Sequence, residues 1–213
     1  MSSWVKLEPN RRQVAIAGIV IDEQTQQPLK GARVEITDAP AQFLEQVRLS
    51  ALQGRRLNES ATAHDGWFYF INLPGGNYTL TASLPNAAGR YQASNTTIAT
   101  VPPSEAATQP IWTQLSLRPT TLKGTIQDQK QQAIVMAKVW IEGSDAFTFS
   151  DSKGQYLLTP LEGWNASADS TQPPTMTVKA TAPGYEVATQ RITLRQGEIT
   201  TLTIRLQQIL PIQ

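Results

Sequence analysis

The sequence predicts an all-β fold made of two consecutive β-sandwiches. Three observations lead to this prediction: apolar and polar residues alternate in short runs, turn-forming residues separate the runs, and the pattern of the first half recurs in the second. The chain has 213 residues, of which 40% are hydrophobic. It is therefore long enough for two domains and apolar enough to bury two cores.

The first half contains several runs with strand periodicity. Residues 17–22 and 31–36 alternate with period two, and the aromatic run 67–70 follows the dipeptide Asp65-Gly66. An Asp-Gly pair is typical of a tight hairpin turn, because glycine adopts positive φ without steric cost. Short strands with regular turns between them indicate a sandwich or a barrel.

The second half repeats these features in the same order. Three pairs of positions correspond: Gly18 with Gly124, Val34 with Val139, and Gly66 with Gly154. The repeat predicts an N-terminal extension, a first sandwich with an insert, a second sandwich and a C-terminal tail, at residues 1–13, 14–118 (insert 38–60), 119–206 and 207–213.

These motifs resemble those of carboxypeptidase-regulatory-like domains. The resemblance is carried by Gly-x-Val-x-Asp at 18–22, Pro-Leu-x-Gly-Ala-x-Val-x-Ile at 28–36, and Thr-x-x-Asp-Gly-x-Phe-x-Phe-x-x-Leu-Pro-Gly-Gly-x-Tyr-x-Leu at 62–80. The second copy is degraded, with Met136 where the family has glycine. The resemblance implies seven-stranded, transthyretin-like (prealbumin-like or Ig-like) sandwiches, which serve in their families as spacers, folding partners or adhesion modules.

The insert is predicted to contain a helix over residues 41–53. Its apolar residues Phe43, Leu44 and Val47 recur at helical spacing. Pro40 suits the first turn of such a helix, and Gly54 suits its end.

The outer face of the first domain is predicted to be unusually apolar. Core parity carried over from the second copy places Ile16, Gly18 and Val20 inside, and the following residues then point outward: Ala15, Ala17, Ile19, Ile21, Trp67, Tyr69 and Trp112. A large exposed apolar patch marks an interface or needs a cover. Two covers stay open here: the insert helix, or a partner protein or the second domain.

Trp140 is the outward aromatic residue of the second domain. One interpretation is a singly exposed ring or an inter-domain contact. The other is an interface anchor, because tryptophan is over-represented among interface hot spots. The candidate partner-binding residues are thus Ile19, Ile21, Trp67, Tyr69, Trp112 and Trp140.

The sequence provides no constellation typical of an enzyme. Cysteine is absent and the single histidine, His64, lies in a predicted turn, so thiolate chemistry and zinc sites with several histidines are excluded. Asp65 and Asp151 have two interpretations, as calcium ligands or as residues that close Asx-turns, and the turns are the favoured one. We expect a non-enzyme without catalytic, cofactor-binding or metal-binding residues.

Charge and terminal sequence give expectations for partners and location. The net charge is +1, from 18 basic and 17 acidic residues, which indicates no nucleic-acid or anionic-membrane surface. The first residues lack a signal-peptide pattern. We expect a cytoplasmic location, within an assembled particle, or an extracellular one if a precursor signal peptide has been removed.

The expected function is that of a structural or adaptor protein, a spacer or docking module among other protein subunits. We expect no nucleic-acid partner, no membrane insertion and no small-molecule ligand. Analogy with similar domains points to a phage-tail-like contractile injection particle. The alternative is a cell-surface adhesion or carbohydrate-binding module.

Overall fold

The computed structural model describes residues 13–103, 109–165 and 172–209. Predictions for residues 1–12 and 210–213, which form most of the two predicted tails, lie outside the described residues. One α-helix is described, Ala41–Ala51 (α1), and a 3-10 turn covers Pro85–Ala87. The strands are Val14–Asp22 (β1), Arg33–Asp38 (β2), Glu59–Ala61 (β3), Trp67–Ile71 (β4), Gly76–Ser83 (β5), Tyr91–Gln92 (β6), Thr97–Val101 (β7), Ile111–Pro119 (β8), Thr121–Gln127 (β9), Lys138–Ile141 (β10), Phe147–Phe149 (β11), Gln155–Leu158 (β12), Met176–Thr181 (β13), Ala188–Ile192 (β14), Ile199–Thr201 (β15) and Ile204–Arg205 (β16).

The chain divides into two compact units. The first unit comprises residues 1–22, 26–83 and 94–116, and the second comprises 23–25, 84–93 and 117–213. The all-β prediction is confirmed. The division differs from the boundary drawn from the repeat, because the segments 23–25 and 84–93 belong to the second unit.

The first unit contains two sheets, built mainly from antiparallel strand pairs, that face a common core. One sheet has the order β4-β1-β8, and β6 pairs with residues 118–119 of β8, which lie in the second unit. The other has the order β3-β2-β5-β7. Alternation along β4 buries Phe68 and Phe70 and exposes the residues between them. The inward parity predicted for Ile16 and Val20 is confirmed, since both are fully buried.

The second unit repeats this arrangement. Its sheets have the orders β11-β10-β13-β14 and β12-β9-β15, with β16 also paired to β9. Tyr156 and Leu158 of β12 are buried, as are Phe68 and Phe70 of β4 in the first unit. The core comprises Leu122, Ile126, Ile134, Ala137, Val139, Ile141, Tyr156, Leu158, Leu161, Val178, Ala180, Ala182, Leu194, Ile204 and Leu206.

The two turn glycines predicted to correspond occupy equivalent positions. Gly66 and Gly154 have φ values of 77° and 72°, in the left-handed region that glycine tolerates best. The carbonyl of Gly66 accepts a hydrogen bond from the Val20 N–H at 2.9 Å, and that of Gly154 accepts one from the Ile126 N–H at 2.8 Å. The correspondence inferred from the repeat is therefore present in the backbone.

The predicted helix is confirmed, but it does not lie over the outer face, so the first of the two covers considered for that face is wrong. Helix α1 follows β2, which belongs to the sheet opposite β1 and β4. Among its residues only Phe43 is buried, and its ring meets that of Tyr78 edge-on at 5.6 Å. Because Tyr78 lies in the core, helix α1 is anchored to the core by the ring of Phe43 and leaves Trp67 and Trp112 exposed.

Candidate protein-interaction surfaces

The outer face of the first unit carries a group of exposed aromatic rings. Trp67 and Tyr69 of β4 and Trp112 of β8 are 41%, 62% and 64% exposed. Strand β1 lies between these strands, and Ile19 pairs with Trp67 in register. Strands two positions apart are separated by about 10 Å. The rings of Trp67 and Trp112 nevertheless have centroids only 5.4 Å apart, so they meet over β1. We call Trp67, Tyr69 and Trp112 the tryptophan face.

Two residues predicted to point outward are buried. Ile21 is only 5% exposed, and the prediction that it belongs to the binding surface is wrong. It lies at the end of β1, where the chain turns back and forms a bridge between Ile21 and Pro28. Ala17 is buried because it is small and lies opposite Tyr69 on a strand flanked on both sides. Ile19 is half-buried beside Trp67.

The two tryptophans do not form a flat platform. Their planes are inclined by 77°, so one ring presents its edge to the face of the other. This edge-to-face contact is a preferred aromatic geometry and fixes both rings. The backbone before Trp67 is also held, since the Trp67 N–H donates to Asp65 Oδ1 at 3.2 Å.

The second unit also has an aromatic surface, around Trp140. This ring is half-buried and lies opposite Phe147 on the neighbouring strand β11. Lys138 Nζ lies 5.6 Å from the centre of the Trp140 ring and 5.0 Å from that of Phe147, a cation–π arrangement. Phe149 lies opposite Lys138, and its ring is 6.0 Å from that of Phe147. We call Lys138, Trp140, Phe147 and Phe149 the phenylalanine edge.

Sequence reasoning missed Phe147 and Phe149. Both are exposed, at 56% and 46%. The available signal was their alternation with Thr148 and Ser150 directly after the turn at Gly143, which places both rings on one face. Trp140 is thus one member of a cluster rather than an isolated ring.

The aspartates weighed as calcium ligands close turns. Asp151 Oδ1 accepts hydrogen bonds from the N–H groups of Lys153 and Gln155, both at 2.8 Å, and Asp65 holds Trp67 in the same manner. His64 is exposed in its turn. In the described part of the chain, no three histidine, aspartate or glutamate side chains lie close enough together to hold a metal. The helices described there are too short or too polar to traverse a bilayer.

Two buried tyrosines hold their protons through burial. Burial raises the pKa of Tyr78 to about 12 and also raises that of Tyr156 above its ordinary value. The Tyr78 hydroxyl donates to the Pro74 carbonyl at 2.7 Å, and the Tyr156 hydroxyl donates to that of Leu202 at 2.8 Å. Both groups are parts of the cores.

The chain matches a known domain family along most of its length. The profile of the carboxypeptidase regulatory-like domain matches residues 15–111 and again residues 121–207. The chain belongs to the carboxypeptidase regulatory-like domain family. It consists of two tandem copies of this domain, which confirms the relationship inferred from the motifs.

Several solved structures are similar to the chain at low identity. A shaft pilin SpaA variant from Lactobacillus rhamnosus GG is 16% identical, with a TM-score of 0.42 and coverage of 94% of this chain and 99% of the pilin. A streptococcal ancillary pilin is 13% identical, with a TM-score of 0.45 and coverage of 91% and 69%. The TIE protein of Bacillus anthracis is 17% identical, with a TM-score of 0.38, and this chain, of which 93% is covered, spans 34% of it. No curated protein sequence matches the chain.

Proposed function

We propose that this tandem carboxypeptidase regulatory-like protein is a non-catalytic structural or adaptor module that docks onto another protein subunit through the tryptophan face of its first unit. The observation that carries this proposal is the contact between Trp67 and Trp112, two exposed rings that meet over β1. Aromatic anchors of this kind dominate the binding energy of protein interfaces.

The energetics favour a partner on this face. Each large aromatic side chain buries about 150–250 Å² when it is enclosed. At about 25 cal/mol per Å² of apolar surface, covering three such partly exposed rings contributes several kcal/mol. The rings are already held against each other, so less conformational entropy is lost when a partner binds.

The proposed role also implies a larger assembly of which this protein is a subunit. A protein with two sandwich domains and a near-neutral charge suits a spacer or docking subunit, and we propose a phage-tail-like contractile injection particle in the cytoplasm as the assembly. The competing role is a cell-surface adhesion or carbohydrate-binding module. Exposed tryptophans favour that role, whereas the 77° inclination of the rings disfavours flat stacking of a sugar.

The proposal is tested by size analysis of native lysates that contain the wild-type chain, Trp67→Ser, Trp112→Ser or the control Ile98→Ser. Ile98 of β7 is 69% exposed and lies on the other sheet of the same unit. We expect the wild type and Ile98→Ser to migrate in a large complex and both tryptophan variants to migrate as folded monomers. Recovery of the wild type only as a free monomer contradicts the proposal. Monomers that bind immobilised glycans through Trp112 support the carbohydrate role instead.

A further inference from the structure

The edge strands of the two units occupy equivalent places, but the side chains at and beside these edges differ. In the first unit β3 is the edge strand beside β2, and in the second β11 is the edge strand beside β10. Register gives the equivalent outward positions, which are Arg33 and Lys138, Glu35 and Trp140, Glu59 and Phe147, and Ala61 and Phe149. The two copies thus provide an internal comparison.

The edge strand β3 of the first unit carries a charged side chain, Glu59, which forms ion pairs with two arginines. Arg33 Nη2 lies 3.1 Å from Glu59 Oε1, and Arg56 Nη1 lies 3.0 Å from the same oxygen. Charged side chains on an edge strand discourage pairing with another chain. The second unit has aromatic rings at the positions of Glu35 and Glu59, so its edge lacks this protection.

The backbone of β11 is directed toward an added strand. The Ser150 N–H donates to the Ala137 carbonyl at 2.9 Å, and the Ala146 carbonyl accepts from the Ile141 N–H at 3.2 Å, so residues 146 and 150 face β10. Hydrogen-bonding direction alternates along an antiparallel strand. The N–H and C=O groups of Phe147 and Phe149 therefore point away from the sheet.

A groove of about 580 Å³ runs beside this edge. It is lined by Thr148 and Phe149 of β11 and by residues of β9, β12 and β15, among them Leu157, which is partly exposed. Side chains of an added strand would point alternately to its two faces. One set would cover Phe147 and Phe149, and the other would enter the groove over Leu157.

The charges at this edge select the partner. Lys138 Nζ lies over two rings and makes no ion pair with any residue in 13–103, 109–165 or 172–209. The neighbouring Lys179 is already paired with Glu142. Lys123 lines the groove. A carboxylate on the incoming segment would complement Lys138, whereas a second copy of this chain would bring another Lys138 instead.

We propose that β11 binds an extended segment of a partner protein as an added strand, with apolar side chains over Phe147 and Phe149 and a carboxylate at Lys138. Main-chain hydrogen bonds provide the affinity of such strand addition, and the flanking side chains provide its specificity. This site lies on the second unit and is independent of the tryptophan face.

Synthetic peptides of eight residues test the proposal. The first alternates valine with threonine and has one central glutamate on the valine face, the second has lysine in place of glutamate, and the third carries N-methyl groups on the amides that would pair with β11. Backbone NMR shifts and hydrogen exchange at the amides of Phe147 and Phe149 are recorded during titration. We expect the glutamate peptide to slow exchange at both amides about tenfold at 90% occupancy. The lysine peptide should bind at least fivefold more weakly, and the N-methyl peptide at least tenfold.

Matched variants identify the groups involved. Phe147→Glu combined with Phe149→Ala installs the residues of the first unit's edge and should weaken binding at least tenfold, and Lys138→Gln should abolish the preference for glutamate over lysine. Phe149→Ser alone serves if the double variant does not fold. Trp112→Ser should bind the peptide as the wild type does, so failure here is distinguishable from failure of the proposed function.

Three outcomes overturn the proposal. In the first, the amides of Phe147 and Phe149 would remain unperturbed at the highest concentration of the glutamate peptide. In the second, the folded variants at positions 147 and 149 would bind this peptide as tightly as the wild type does. In the third, these amides become protected with rising protein concentration and no peptide, which assigns the edge to a second copy.

Discussion

The hydroxyl of Thr62 in the first unit makes the same two hydrogen bonds as the hydroxyl of Ser150 in the second. Thr62 Oγ1 accepts from the Ala32 N–H at 2.8 Å and donates to the Leu29 carbonyl at 2.6 Å. Ser150 Oγ accepts from the Ala137 N–H at 2.9 Å and donates to the Ile134 carbonyl at 2.7 Å. Both side chains are buried. Each hydroxyl therefore fixes the segment that enters β2 or β10.

Removal of either hydroxyl should destabilise its unit. Thr62→Val or Ser150→Ala leaves one N–H and one C=O without their partner in the protein interior, which costs about 1–3 kcal/mol for a buried polar group. Urea denaturation measures the change, and Ser152→Ala in the exposed turn should stay within about 0.5 kcal/mol of the wild type. A loss below about 0.5 kcal/mol for Thr62→Val would show that the hydroxyl is dispensable.

Met136 has a backbone conformation that glycine prefers. Its φ is 58°, and the equivalent Gly31 has a φ of 72°. The left-handed conformation costs a residue with a Cβ atom roughly 1–2 kcal/mol. Glycine avoids this cost, but it also raises the conformational entropy of the unfolded chain, which offsets part of the gain in stability. Met136→Gly should therefore stabilise the protein by about 0.5–1 kcal/mol, and Gly31→Ala should destabilise it by about 1 kcal/mol. Met136→Ala keeps the strain and should change little in the same denaturation experiment.

Phe43 should account for most of the attachment of helix α1. Phe43→Ala removes a buried ring that contacts Tyr78, and such truncations cost about 3–5 kcal/mol. Leu44→Ala, one position further along the same helix and exposed, should cost under about 1 kcal/mol. Denaturation and the loss of helical ellipticity measure the two effects. Equal losses for both variants would contradict the anchoring role of Phe43.

The burial of Tyr78 should contribute to a decline of stability in alkaline solution. Its pKa is about 12 in the folded protein, against an ordinary value of 10.0, so the folded state retains a proton that the unfolded state releases. The contribution is fully present below pH 10 and is lost as pH rises through the folded pKa. Tyr78→Phe should flatten the decline of the unfolding free energy between pH 10 and 11. An unchanged slope in Tyr78→Phe would contradict this assignment.

The sequence predicted those features that depend on local pattern. Alternation fixed the inward parity of Ile16 and Phe68, and the spacing in the insert predicted helix α1. The position of α1 depended on which sheet its flanking strands join, a long-range property that periodicity does not contain. The burial of Ile21 depended on its bridge to Pro28 across a turn.

For the aromatic surfaces, too, the sequence predicted which side chains are exposed better than which of them lie together. Trp67 and Trp112 followed from parity, but their contact over β1 required the strand order. Phe147 was missed because a three-residue edge strand gives little periodic signal. Its proposed role in binding emerges only when it is compared with the charged Glu59, which occupies the equivalent position in the first unit.

The most direct test of the central claim is crosslinking from the tryptophan face in the cells that make the protein. The photoreactive residue p-benzoylphenylalanine replaces Tyr69, which is 62% exposed and lies two residues after Trp67 on β4. The same residue at Ile98 serves as the matched control. We predict that irradiation links position 69, but not position 98, to another protein subunit. Equal labelling at both positions, or none at position 69, would contradict the docking role of this face.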